Sequence, residues 1–151
     1  INSGGLGTMG FGLPAAMGAA VECPDMPVVC VAGDGAVQMN IQEMTTAVLE
    51  KIPVKVFVMN NGYLGMVRQW QELFWDKRYS AVDMGTTPDW VKLAEAYGAV
   101  GMRATDKTTL VEQMREALAA DGPVVMDVAV TKEENCYPMI PAGQPAREMV
   151  G

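Results

Sequence analysis

The residues best equipped for chemistry are an aspartate and a pair of asparagines. Asp34 stands between Gly33 and Gly35, at the end of the apolar, β-branched run 28–32, and Asn60-Asn61-Gly62 follows the next such run, 54–59. Such runs read as buried strands of a parallel sheet. Asp34 and Asn61 are 27 positions apart (61 − 34), about one strand-helix-strand unit. Ligands of open α/β sheets bind beyond the carboxyl ends of the strands, so the two side chains are expected to meet at one rim. A carboxylate, an amide oxygen and a nearby backbone carbonyl are hard donors. They suit Mg²⁺, whose octahedral shell is completed by water and phosphate oxygens. The plain alternative makes Asp34 a helix cap and Asn61 a turn residue.

A second cluster opens the chain, where Gly4, Gly5, Gly7, Gly10 and Gly12 crowd together. Backbone amides around Gly5, Gly7 and Thr8, with the following helix start, could cradle a diphosphate without a lysine. No Gly-Lys-Ser/Thr occurs, so this is not a Walker A loop. Gly5-Leu6-Gly7-Thr8-Met9-Gly10 does match the dinucleotide fingerprint, with Asp34 roughly where a ribose-binding acid stands. That fingerprint needs a strand immediately before it, and only Ile1-Asn2-Ser3-Gly4 precedes. It also leaves Asn60-Asn61 unexplained.

Composition narrows the chemistry further. The 151 residues contain no histidine, so no Ser-His-Asp triad, Cys-His dyad or His-bound zinc can be built from them. Any general base is a carboxylate, a Lys, a Tyr or a cofactor. Eleven Lys plus Arg against eighteen Asp plus Glu leave a net charge of −7, which argues against duplex nucleic acid or an anionic membrane as partner. Cys23, Cys30 and Cys136 are odd in number and lack CxxC spacing, as reduced thiols in a reducing compartment would be. No apolar run approaches a membrane span and no signal peptide is visible. The chain opens at Ile1 with function-like residues at once, and reads as a piece of a longer protein.

The elements that must position these residues can be read from periodicity. Pro14 lies in the first turn of a helix over 15–21. Ile41, Met44, Val48, Leu49 and Ile52 recur at helical spacing, and Pro53 stops them. Val67, Trp70, Leu73 and Phe74 form one face of a longer amphipathic helix. Thr87 is the expected cap of another, with Pro88 in its first turn, Gly98 past its end, and Trp90, Leu93, Ala94 and Tyr97 as its apolar stripe. A short strand over 100–103, a helix marked by Leu110, Val111, Met114 and Leu118, and a strand over 124–130 follow. The predicted class is α/β: a doubly wound, mainly parallel sheet flanked by helices. Residues 1–131 are read as the α/β domain, and 132–151, with Pro138, Pro141 and Pro145, as its irregular C-terminal arm.

Gly33-Asp34-Gly35 followed at this interval by Asn60-Asn61 resembles the thiamine diphosphate motif of enzymes that decarboxylate or ligate 2-oxo acids. Three longer words are similar to the catalytic subunit of acetolactate synthase (acetohydroxyacid synthase), in a bacterial-looking version. They are SGGLGTMGFGLPAA from Ser3, GMVRQWQ from Gly65 and MIPAG from Met139. The resemblance runs over essentially the whole chain, as that subunit's C-terminal cofactor-binding domain. It implies Mg²⁺ held by Asp34, Asn61 and the Tyr63 carbonyl. Gly35 and Ala36 would meet the diphosphate, Gly7 and Met9 the rings of the cofactor, and Gly65 and Met66 would continue the pocket. Trp70, Ala142 and Gly143 would stand at the substrate entrance. It implies decarboxylation of pyruvate and condensation with a second 2-oxo acid, toward branched-chain amino acids. No catalytic side chain is expected here, because the family's activating glutamate comes from a partner chain's N-terminal domain. FAD would bind outside this chain, the site would lie between chains of a homodimer or larger assembly, and a regulatory small subunit would attach. The implied compartment is the cytoplasm. Alone, the chain is expected to fold but not to make acetolactate. Trp75 and Ala81 stand where the family pattern has Tyr and His, at positions expected on the surface or behind the site. The alternatives are another thiamine diphosphate-dependent decarboxylase or carboligase and, more remotely, a nicotinamide dinucleotide-binding module.

Overall fold

The computed structural model describes residues 1–85 and 87–151. In chain order the helices and strands are α1 (Gly12–Glu22), β1 (Val29–Gly33), α2 (Asp34–Gln38), α3 (Met44–Leu49), β2 (Lys55–Asn60), α4 (Gly65–Phe74), α5 (Trp90–Tyr97), β3 (Val100–Ala104), α6 (Lys107–Ala119) and β4 (Val124–Ala129). The strands form one sheet in the order β1-β2-β4-β3, and every pairing is parallel. The central strands are buried on both sides, which is why β2 and β4 are mostly apolar, with Lys55 and Asp127 as their buried charged residues. Val54, Val56, Val58 and Val125 meet Leu13, Met44, Trp90 and Ala94 on one face. Phe57, Val124, Met126 and Val128 meet Ala117, Leu110 and Met114 on the other. This is the expected α/β class.

Close approach fixes one helix. A Cβ at Gly101 would lie 2.6 Å from the Val91 carbonyl oxygen and 2.9 Å from its Cα, so only glycine lets α5 rest directly on β3. The lone lysine inside the sheet, Lys55, is buried but satisfied: its Nζ donates to the carbonyls of Ala120 and Gly122, each at 2.6 Å, at the end of α6.

Four local expectations need correction. The helix after β1 is a separate short α2, followed by a 3-10 turn, Ile41–Glu43, before α3. The cap of α5 is Asp89, not Thr87; Asp89 accepts the Val91 and Lys92 backbone N–H groups. On α6, Val111 and Leu118 are exposed, and only part of the predicted stripe reaches the core. On α4 the faces are exchanged. Val67, Trp70 and Phe74 are exposed, while Arg68 and Gln69 are buried. The reason is the arm, 132–151, whose backbone and Asn135 side chain give the polar face most of its partners. Gln69 Nε2 donates to the Cys136 carbonyl at 2.8 Å and Gln69 Oε1 accepts the Cys136 N–H at 3.0 Å. Arg68 Nη2 donates to the Glu133 carbonyl and to Asn135 Oδ1, and Nη1 to Glu72. The arm then folds on itself through paired bonds between Met139 and Val150.

Candidate functional site

Register brings the two polar clusters together. Gly33 pairs with Met59 across β1 and β2, so Asp34 and the Asn60-Asn61 turn leave the sheet side by side. Asp34 Oδ2 accepts the Gly62 backbone N–H at 2.9 Å. Asp34 is no helix cap: it is the first residue of α2, and Gly33 occupies the cap position. Asn61 does carry the turn bond weighed from sequence, its Oδ1 accepting the Tyr63 N–H at 3.0 Å. An amide oxygen has a second lone pair, so this bond does not consume it.

The electrostatics favour a cation. Asp34 is buried, and burial pushes its carboxyl above the ordinary carboxylate range. The backbone N–H groups of Gly62, Gly35 and Asp34 itself pull it back down, and the charge on Asp127 adds to the rise. Among the described residues, no Lys or Arg forms a salt bridge with it. No cluster of three or more His, Cys, Asp or Glu side chains forms a metal cage among them either. An ion at Asp34 must therefore draw on amide, carbonyl, water and phosphate oxygens, a hard donor set that suits Mg²⁺ better than zinc, whose sites are built mainly on Cys and His. The residues present fit a Mg²⁺–diphosphate unit.

Above Asp34 lies a cavity of about 330 Å³. Its lining includes Met9, Asp34, Gly35, Ala36, Asn61, Tyr63, Gly65 and Met66. Eight of the nine residues singled out for cofactor and metal are thus neighbours in space. Gly7 is the exception. It is not among the lining residues, and its N–H is spent on the Ser3 carbonyl at 2.7 Å. The glycine loop is tied down instead through Gly10, whose carbonyl accepts from Asn40 Nδ2 at 2.8 Å. Gly35 sits in a tight cradle, since an added Cβ would lie 2.9 Å from Leu64 Cδ2 and 3.0 Å from Met9 Cε. Residues 1–4, directly before Gly5, are turn and irregular chain rather than strand, which does not fit the dinucleotide fingerprint.

A second groove, of about 470 Å³, runs between α4 and the arm and is lined by Trp70 and Ala142 with Phe74, Trp75, Met139, Ile140 and Pro141. Gly143 adjoins it in the chain, at φ +79°, but does not line it. Trp75 belongs to this lining, and Ala81 lines an open depression beside Met9 and Gly35, so neither departure from the family pattern is remote from the cavities. Sequence reading also missed Leu64, Phe74 and Asp127. The first two are ordinary apolar residues in apolar stretches, and Asp127 was hidden inside a strand. Burial pushes the Cys30 thiol up to about 11, which makes it inert as a nucleophile.

Exposure decides between the two readings of Trp70. It is 46% exposed, so Trp70→Leu should leave stability within about 0.5 kcal/mol of the parent, rather than losing the roughly 3–5 kcal/mol of a truncated core aromatic. A thermal melt checks this, and a large fall in midpoint would return Trp70 to the core.

Comparison with known proteins agrees with this geometry. The family model described as "Thiamine pyrophosphate enzyme, C-terminal TPP binding domain" matches residues 1–128. The acetolactate synthase large subunit of Parasynechococcus marenigrum (strain WH8102) is 52% identical over 100% of this chain and 25% of its own length. The acetolactate synthase of Mycobacterium bovis is 51% identical over 95% of this chain and 24% of its own. Among solved structures, the thiamine diphosphate-dependent 4-hydroxybenzoylformate decarboxylase of Rhodococcus jostii RHA1 superposes with a TM-score of 0.77 and 34% identity, covering 85% of this chain and 24% of that one. The chain spans about a quarter of the length of these relatives. With the parallel sheet, the cavity at its strand ends and the family match over most of its length, the chain belongs to the C-terminal TPP-binding domain family of thiamine pyrophosphate enzymes.

Proposed function

We propose that this chain is the cofactor-binding C-terminal part of an acetolactate synthase catalytic subunit, which condenses pyruvate with a second 2-oxo acid and releases CO₂. The observation that carries the reading is the cavity where Asp34, Asn61, Tyr63, Met9 and Gly35 converge; similarity to acetolactate synthases along the whole chain supports the choice of reaction.

Asp34, the Asn61 side chain and the Tyr63 carbonyl would hold Mg²⁺, and the first-turn amides of α2 at Gly35 and Ala36 would meet the diphosphate, because such N–H groups lack partners inside a helix. Bound thiamine diphosphate supplies the electron sink for decarboxylation. This chain's part is to bind and shelter it. Met9, Met59, Met66, Val67 and Val130 make the cavity wall largely apolar, which keeps water from the reacting atoms. Asp34 is committed to the metal, so the acid that activates the cofactor belongs elsewhere, on a partner chain's N-terminal domain. Trp70 and Ala142 line the route of the substrate, with Gly143 at its edge. Residues 132–151 act as the closing arm of the same domain as 1–131. FAD bound outside this chain, a homodimeric or larger assembly, a regulatory small subunit and a cytoplasmic setting complete the reading. Among the described residues, no helix is long and apolar enough to cross a membrane.

A second reading, another 2-oxo acid decarboxylase of the same cofactor family, is favoured by the superposed decarboxylase. The test is product analysis with the full-length polypeptide, pyruvate, thiamine diphosphate and Mg²⁺. Two pyruvates yielding one acetolactate and one CO₂ support the proposal. Acetaldehyde with CO₂ would select the decarboxylase instead, and activity independent of the cofactor would sink both.

A further inference from the structure

A buried carboxylate that neither the metal nor the cofactor requires lies next to the site. Asp127 is in the middle of β4, among Val124, Val125, Met126 and Val128, and is 5% exposed. Both its oxygens are engaged, one toward each neighbouring strand. Oδ1 accepts from Asn60 Nδ2 at 2.9 Å, at the last residue of β2. Oδ2 accepts from Arg103 Nε at 3.0 Å, Arg103 being its direct register partner on β3. Arg103 Nη2 reaches on to Asp89 Oδ1 at 2.7 Å, the carboxylate that caps α5.

Stability alone does not explain this arrangement. The Arg103 side chain is 42% exposed, so the ion pair itself contributes little to stability, and every neighbour of Asp127 along β4 is apolar. What the pair does is orient. Asn60 would otherwise be free to rotate at the strand end, and it directly precedes the turn whose Gly62 N–H bonds Asp34 and whose Asn61 lines the same cavity. Outer partners of this kind hold metal ligands in place, and their loss typically weakens metal affinity about 10–100-fold.

We infer that Asp127, braced by Arg103, is a positioning residue that acts through Asn60 to hold the Asn61 turn in register with Asp34. The inference rests on the assignment of Asp34 and Asn61 to the cation. Mg²⁺ affinity is measured by calorimetry at saturating thiamine diphosphate in the full-length polypeptide, for Asp127→Asn, Asn60→Ala, their double variant and Asp34→Asn. Each of the first two should weaken Mg²⁺ about 10- to 100-fold, and the double variant should be no weaker than either alone, because both break one chain of contacts. Losses that simply add, or an unchanged affinity beside a lowered melting temperature, would overturn it and leave Asp127 a structural residue. If Asp127→Asn does not fold, Asn60→Ala decides alone: at least tenfold weakening supports the inference and unchanged affinity overturns it. An unchanged affinity in Asp34→Asn would instead remove the metal-site assignment itself, and the inference with it.

Discussion

Asp34→Asn is expected to abolish Mg²⁺-dependent binding of thiamine diphosphate while the protein stays folded. The substitution keeps size and shape, and the amide oxygen can still accept the Gly62 N–H that Asp34 Oδ2 accepts at 2.9 Å. The fold itself has no need of the charge. Burial raises the Asp34 carboxyl above its ordinary range, so folding shifts the group toward its neutral form. The stability that preference supplies is present below the unfolded pKa and is lost as pH rises through the higher folded one. Asparagine carries no charge to bury, so the substitution removes that cost of burial. In the proposed metal site the opposite holds, since Asp34 is the only carboxylate among the described residues that line the cavity. Loss of affinity should exceed the roughly 10–100-fold cost of removing even an outer-shell partner. Calorimetric titration with cofactor and Mg²⁺, beside a thermal melt, separates the two effects. Unchanged affinity would defeat the assignment.

The second large effect is expected at Arg68. Its guanidinium is buried, bonded to Glu72 Oε2 at 2.8 Å, to the Glu133 carbonyl at 3.0 Å and to Asn135 Oδ1 at 2.6 Å, and it lies 5.9 Å from the centroid of the Tyr79 ring. Arg68→Ala removes every one of these contacts and strands the groups that relied on them. Breaking a buried charged cluster in this way costs about 3–5 kcal/mol. The loss need not unfold the sheet, because neither core cluster contains a residue of the arm. It should appear as release of residues 133–142 from α4. The Cys136 N–H, bonded to Gln69 Oε1 at 3.0 Å, is the natural reporter. Its hydrogen exchange should quicken by roughly two to nearly four orders of magnitude, while amides of β2 and β4 keep their protection. The groove between Trp70 and Ala142 would open with it, and substrate selectivity would change with little effect on cofactor affinity. Unaltered exchange at Cys136 would mean that Arg68 does not hold the arm.

Much of this was legible because it is local. The strands announce themselves as β-branched runs ended by Gly33-Asp34-Gly35 and Asn60-Asn61-Gly62, and polar residues at the ends of buried strands have few reasons to be there except a ligand. The α5 stripe of Trp90, Leu93, Ala94 and Tyr97 faces the core as its spacing requires. What periodicity could not give is what an element packs against. An apolar face on α4 reads as core, yet Trp70 and Phe74 line a groove while Arg68 and Gln69 face inward. Hydrophobic spacing records which side of a helix is apolar, and it is blind to a distant arm whose backbone and Asn135 side chain supply polar partners 65 to 67 residues away. Asp127 was hidden for the same reason. Within an apolar strand it looks like an interruption, and only the order β1-β2-β4-β3 places it between Asn60 and Arg103. The sequence by itself thus determined the strands, the class of fold and the meeting of Asp34 with the Asn60-Asn61 turn, since adjacent parallel strands deliver their ends to one rim. Tertiary structure alone decided which polar groups are held rigid there, because a buried charge is set by the partners that surround it in space.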